Sequence, residues 1–237
     1  MSDEPQLSKA EHLKAGSRQL RGTIAEELRL PNEPFSDGSA TLLKHHGTYQ
    51  QDNRDERHGE TGKAYSCMVR SRVPGGKLTA EQFLAELDLG DRFGNGTLRI
   101  TTRQGFQLHG VVKGDLRETI REINRIKLTT LAACGDVNRN VMSCPAPIYT
   151  NSIRRDNQRL ADQIAERMRP RTSAYFDIWL RDEQTGEEQN VSEPQPVDEP
   201  IYGPTYLPRK FKIGISLPED NCVDVLTYDL GFVTIHH

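Results

Sequence analysis

Long apolar runs are absent from this 237-residue chain, and none approaches the ~20 residues that a membrane helix needs. Apolar residues make up 35% and aromatics 6%, with a single tryptophan. The 19 glycines leave the total still short of the ~45–50% usual in a globular domain. The N-terminus, MSDEPQLSKAEHLK, has neither the basic nor the apolar part of a secretory signal. Membrane, secreted and collagen-like classes are thereby excluded, and a cytoplasmic location is expected. Cysteine is scarce: Cys67, Cys134, Cys144 and Cys222 are separated by 66, 9 and 77 residues. No CxxC pair occurs, so neither a zinc site nor a disulfide framework is expected, and all four thiols read as buried or partly buried. A large excess of base is also missing. With 31 basic and 34 acidic residues the net charge is -3, which argues against a nucleic-acid partner. Walker loops, dinucleotide fingerprints and a Ser-His-Asp order are absent as well.

What is present is periodic along most of the chain. Leu13, Leu20, Ile24 and Leu28 form one stripe, which predicts a helix over 8–30. Residues 31–40 read as loop, and 41–62 as a polar arm that wraps another surface, with His45 and His46 exposed. Strands are predicted over 64–73, 97–102 and 106–112. Thr79 with Gln82 makes a capping box for a helix to about Leu87, and Asp115 with Glu118 starts another to about Lys127. That order gives an α+β fold with helices on one face of an antiparallel sheet. A helix over 150–168, strands over 174–181, 210–217 and 223–235, and a proline-rich acidic loop over 182–204 follow.

The chemistry should sit where cations gather. Arg70 and Arg72, Arg99 and Arg103, and Lys210 and Lys212 are spaced two, four and two apart on predicted strands, so each pair should share a face. Any one pair fits a solvated outer face. Three pairs together with Arg139 weaken that reading, because like charges repel more strongly away from water and gathering them needs either solvent or an anion between them. The segment TTRQGFQLHG breaks a strand with two glycines, which signals a bulge or a close ligand approach. CGDVNRN reads as an Asx-type turn and YLPRKFK as a lysine-guarded edge strand. His109 reads as a structural histidine rather than a metal ligand.

Taken in order, TLRITTRQGFQLHG, CGDVNRNV and YGPTYLPRKFKI resemble the siroheme sulfite and nitrite reductase family over roughly residues 40–235. The leading helix and arm resemble its ferredoxin-dependent branch. The resemblance implies a ferredoxin-like half domain over 59–129 with an antiparallel sheet, after a helix and arm over 1–58. The first part of an α+β siroheme-binding domain would follow over 130–237. It implies siroheme and a 4Fe-4S cluster as cofactors, sulfite as substrate, and ferredoxin or an NADPH flavoprotein as electron donor. Carried over residue by residue, it assigns Arg70, Arg139, Lys210 and Lys212 to the substrate. Arg99, Arg103, Gln107, His109 and Asn138 go to siroheme.

Two departures sharpen the reading. The family's cluster cysteines come as pairs with five and three residues between them, and neither spacing occurs here. No metal ligand is therefore assigned, and the chain is expected to be an N-terminal piece, inactive alone. Nitrite enzymes of the family usually read RKxN where this chain has Arg209-Lys210-Phe211-Lys212, carry Arg at the place of His109, and have DNVRN for GDVNRN. All three differences point to sulfite. Nitrite reduction, or a non-catalytic siroheme- or anion-binding module, are the alternatives.

Overall fold

The structure is a computed structural model that describes residues 7–30, 32, 34–53, 57, 62–148, 151–171, 179–182, 184–190 and 199–235. Helix α1 spans Lys9–Ala15 and α2 spans Ile24–Glu27, so the helix expected over 8–30 is broken. Arg18, Gln19 and Leu20 all take positive φ at the break. The Ser17 hydroxyl organises this turn, donating to Lys14 O at 2.6 Å and accepting from Leu20 N at 2.9 Å. The apolar stripe survives the break, because Leu20 and Ile24 are buried in the main core with Leu13 and Leu28 against it.

The region expected to be loop holds α3 (Asp37–Leu42), capped by Ser36. The polar arm supplies strand β1 (Thr48–Asp52), which pairs antiparallel with β2 (Tyr65–Ser71). His45 is buried, and His46 Nε2 lies 3.0 Å from Leu20 O, so neither is the surface residue expected. Backbone pairing to β2 satisfies a polar strand whose side chains gave no apolar alternation.

After a 3-10 turn at Pro74–Gly76 comes α4 (Ala80–Phe93), whose Thr79/Gln82 capping box forms as predicted. The helix runs two turns beyond the expected end. Strands β3 (Leu98–Ile100) and β4 (Phe106–Val111) and helix α5 (Leu116–Arg125) follow. Asp115 precedes α5 without a side-chain capping bond. The sheet order is β1-β2-β4-β3, antiparallel throughout. Helix α4 packs on β3, β4 and α5. Alternation along the strands sends Cys67, Val69, Leu108 and Val111 into the core with Leu89, Leu116 and Ile123 from the helices.

A second unit is built on β5 (Met142–Ser143), α6 (Ser152–Arg167), a hairpin of β6 (Trp179–Arg181) and β7 (Glu188–Asn190), β8 (Ile213–Ser216) and β9 (Leu230–Val233). Strands β5, β8 and β9 run parallel. Helix α6 lays Ala161 and Ala165 on Val141, Ile213 and Ile215. The strands expected over 210–217 and 223–235 are thus shorter, and a 3-10 turn at Val225–Thr227 precedes β9. Most of the strand expected over 174–181 lies outside the described residues, and the acidic stretch expected to be loop contributes β7, because backbone pairing with β6 satisfies it. Among the described residues no helix is long and apolar enough to cross a membrane.

Candidate functional site: a cationic seam between the two sheets

The face of the antiparallel sheet turned away from its helices carries a row of polar groups. Register pairs Arg70 on β2 with Gln107 on β4, and Gln107 with Arg99 on β3, so the three stand side by side. With its amide oriented by its neighbours, the Gln107 oxygen accepts from Arg70 Nε at 3.2 Å and also from a terminal guanidinium nitrogen. Its nitrogen then donates to His109 Nε2 at 3.1 Å, which puts the imidazole proton on Nδ1. Burial, followed by the charges of Arg99 and Arg70, holds the His109 pKa below its usual value and keeps the ring neutral.

Gly110 makes this row possible. Between Cys67 and Val69 the β2–β4 register slips by a residue, and Gly110 takes φ +81° there. A Cβ at Gly110 would stand 2.9 Å from the Cβ of Asn95, so the bulge signalled by glycine in this strand is present and sterically enforced.

The loop over 134–140 supplies the opposite wall. Lys14, buried to 1% exposure, reaches from α1 to Leu207 O at 2.8 Å and pairs with Asp136. Arg139 folds back on its own loop, donating from Nε to Gly135 O at 2.6 Å. Gly135 sits at φ +89° against His45, where a Cβ would come within 2.8 Å of backbone. The 207–211 segment runs alongside, with Phe211 N donating to Val137 O and Arg139 N donating to Phe211 O at 3.0 and 2.8 Å. This brings Lys210, exposed, and Lys212, half-buried, beside Arg139.

Both arginine pairs expected to share a face are split. Beyond the end of β2, Arg72 turns inward and donates to Ala165 O at 2.6 Å, and burial lowers its pKa to about 10. Arg103 lies in the turn after β3, not on it, and donates to Asn140 O at 2.6 Å. Its guanidinium stacks on Tyr228, 4.8 Å from the ring centroid, and the Lys212 ammonium approaches the same ring at 5.9 Å. Lys212 precedes β8 and is fixed through its backbone, N donating to Asp229 Oδ2 at 2.7 Å. Asn138 is fully buried, its backbone N–H donating to Tyr202 Oη at 3.2 Å. The cations therefore converge from different elements rather than along single strands.

Four contributors went unread in the sequence. Tyr49, opposite Met68 on β1, and buried Cys134 lie within the fields of both Arg70 and Arg139 and join the two walls. Burial pushes the Cys134 thiol up, and the two guanidiniums pull against it. Asn140 donates to Val73 O and Arg103 O at 2.7 and 2.8 Å, stitching the two units. Tyr228 carries Arg103. Only the Asn-Arg-Asn pattern around Arg139 hinted at Asn140; nothing in the polar arm marked Tyr49.

Two family models match this chain: the nitrite/sulfite reductase ferredoxin-like half domain over residues 58–126, and the nitrite and sulphite reductase 4Fe-4S domain over 134–237. The chain belongs to the nitrite and sulfite reductase family. It is 48% identical over 236 residues to a protein of Geobacillus kaustophilus named sulfite reductase [NADPH] hemoprotein beta-component, covering 96% of this chain and 40% of that one. It is 47% identical to the protein of that name in Myxococcus xanthus, covering 99% and 41%. The chain thus spans about 40% of the length of the curated relatives it matches. The solved structure of the Mycobacterium tuberculosis NirA protein shares the fold at 20% identity, with a TM-score of 0.65, over 99% of this chain and 39% of that one. Both the α+β class and the ferredoxin-like half domain expected from the sequence are present in this family member.

Proposed function

We propose that this chain forms the anion- and siroheme-facing part of a sulfite reductase that takes sulfite to sulfide in a six-electron reduction. The observation that carries the reading is the convergence of Arg70, Arg103, Arg139 and Lys212 on one seam, in a family member whose relatives are named sulfite reductase. Siroheme fits the residues present. Arg103 Nε and one terminal nitrogen are buried with no acceptor, which suits a ring fringed with carboxylates. Exposed Arg99 would hold a second carboxylate, and Gln107 and His109 would line the same face. Asn138, with both side-chain polar atoms buried and unpartnered, has amide capacity left for the cofactor side.

When bound, siroheme with the 4Fe-4S cluster supplies the electron transfer. This chain supplies charge and protons. Arg70 and Arg139 are fixed guanidiniums, held by Gln107 and by Gly135 O, and offset the charge of sulfite. Lys210 and Lys212 present ammonium groups, which release a proton to a departing oxygen where a guanidinium does not. As donor, an NADPH-linked flavoprotein is favoured over ferredoxin by the names of the relatives.

Sulfite is favoured over nitrite by Lys212, since an extra cation suits the more highly charged anion. The test is turnover of both anions by the full-length enzyme and by its Lys212→Asn variant. A higher kcat/KM for sulfite is expected in the parent, with a larger loss on sulfite than on nitrite in the variant. A preference of the parent for nitrite overturns the substrate assignment, and equal losses remove Lys212 from selectivity.

A further inference from the structure

The clearest cluster outside the seam lies at the far end of the parallel sheet. Cys144 follows β5, Asp220 and Cys222 follow β8, and their sulfur and carboxylate atoms all lie within 4.8 Å of one another. Cys144 Sγ stands 3.6 Å from Asp220 Oδ2. Zinc bonds of about 2.3 Å to sulfur and about 2.1 Å to oxygen, at a tetrahedral angle, put those atoms roughly 3.6 Å apart. The spacing is that of one edge of a zinc tetrahedron.

The surroundings hold these donors in place. Cys222 N donates to Asp220 Oδ1 at 3.2 Å, which fixes the carboxylate and leaves Oδ2 toward the thiols. Gln158 Nε2 donates to Cys144 O at 2.8 Å and fixes the backbone there. From the first turn of α6, Arg154 donates to Cys144 Sγ at 2.8 Å and to Asp220 Oδ2 at 2.6 Å. Two thiolates and a carboxylate carry three negative charges; a divalent cation together with the Arg154 guanidinium balances them. Cys222 is exposed, contrary to its expected burial, so a cation has an entry path and a fourth position open to water.

We propose that Cys144, Asp220 and Cys222 bind a thiophilic divalent cation of the zinc class, with Arg154 as the hydrogen-bonding group that orients sulfur and carboxylate. The site ties the end of β5 to α6 and to the turn after β8. It uses none of the seam's cations, and the proposal is independent of the sulfite reading. Sequence spacing concealed the site, because Cys144 and Cys222 have 77 residues between them and meet only through parallel pairing of β5 with β8.

The test is equilibrium dialysis of the purified protein against Zn2+ under a phosphine reductant, with metal read by atomic emission. The protein should hold one zinc per chain more than its Cys222→Ser variant. Asp220→Asn should weaken that zinc, and Arg154→Met should do so roughly 10- to 100-fold. Cd2+ in place of zinc should give a thiolate charge-transfer band that Cys222→Ser diminishes. Because Cys222 is exposed, its serine variant keeps the fold, which circular dichroism checks. Equal zinc in parent and Cys222→Ser overturns the proposal.

Discussion

At the scale of single residues, burial decided what the sequence left open. Glu86 lies on α4 with no exposed area, its carboxyl set beside the buried Ser71 hydroxyl. Burial pushes its pKa up to about 7. The unfolded chain gives up this proton near its ordinary value of about 4.5, whereas the folded chain keeps it until about 7. Stability therefore falls as pH rises through that window and is level above it, by roughly 3 kcal/mol in all. Glu86→Gln should leave the unfolding midpoint nearly unchanged at about pH 4.5 and raise it clearly at about pH 8. Thermal melts of the two proteins across that range check this; a constant difference would show that Glu86 is not the titrating group. Cation identities, by contrast, were legible, because Arg and Lys in the seam stand in motifs long enough to recognise. Their partners were not: Arg72 bonds to Ala165 and Arg103 to Asn140, contacts that depend on where α6 and the second unit pack.

At the scale of elements, local signals succeeded where they were strong and failed where tertiary contacts act as caps. The Thr79/Gln82 box marked the start of α4 because both halves of it lie within one turn. The start of α3 depends instead on Glu27, nine residues before its cap. The Glu27 carboxylate accepts from Ser36 N and Oγ at 2.8 and 2.9 Å, from Ser39 Oγ at 2.6 Å and from Thr23 Oγ1 at 2.7 Å. Burial would raise its pKa, but those hydrogen bonds outweigh it and bring the value to about 2. A carboxylate depressed in this way stabilises the fold above its unfolded pKa of about 4.5, and the contribution is lost as pH falls toward about 2. Glu27→Gln should cost about 1–2 kcal/mol at neutral pH, with the gap narrowing from about pH 5 to about pH 3. Urea unfolding at the two pH values measures it; a gap that does not shrink would mean the loss is steric. The same logic explains why 8–30 looked like one helix. The apolar stripe fixes which side chains face the core, not whether the backbone between Gly16 and Ile24 stays helical.

At the scale of the whole molecule, the low apolar content has a location. The antiparallel half is well covered, with Cys67, Val69, Leu108 and Val111 enclosed by α4 and α5. The parallel half is covered by α6, but β9 is bare. Leu230, Phe232 and Val233 on that edge strand are 40%, 39% and 47% exposed, with Ile235 at 70% just beyond it and Leu226 at 86% before it. Parallel strands in stable domains are normally buried on both faces, and an open apolar edge is a template for pairing with another chain. This chain spans about 40% of the length of the curated relatives it matches, and among the described residues all four positions of the strand remain exposed. The 237-residue chain expressed by itself should therefore self-associate through β9 at micromolar concentration, while Phe232→Glu combined with Ile235→Lys should shift it toward monomer without loss of helix signal. Sedimentation velocity distinguishes the outcomes. A monodisperse monomer of the unaltered chain would overturn the prediction, and association that survives the double substitution would move the contact elsewhere.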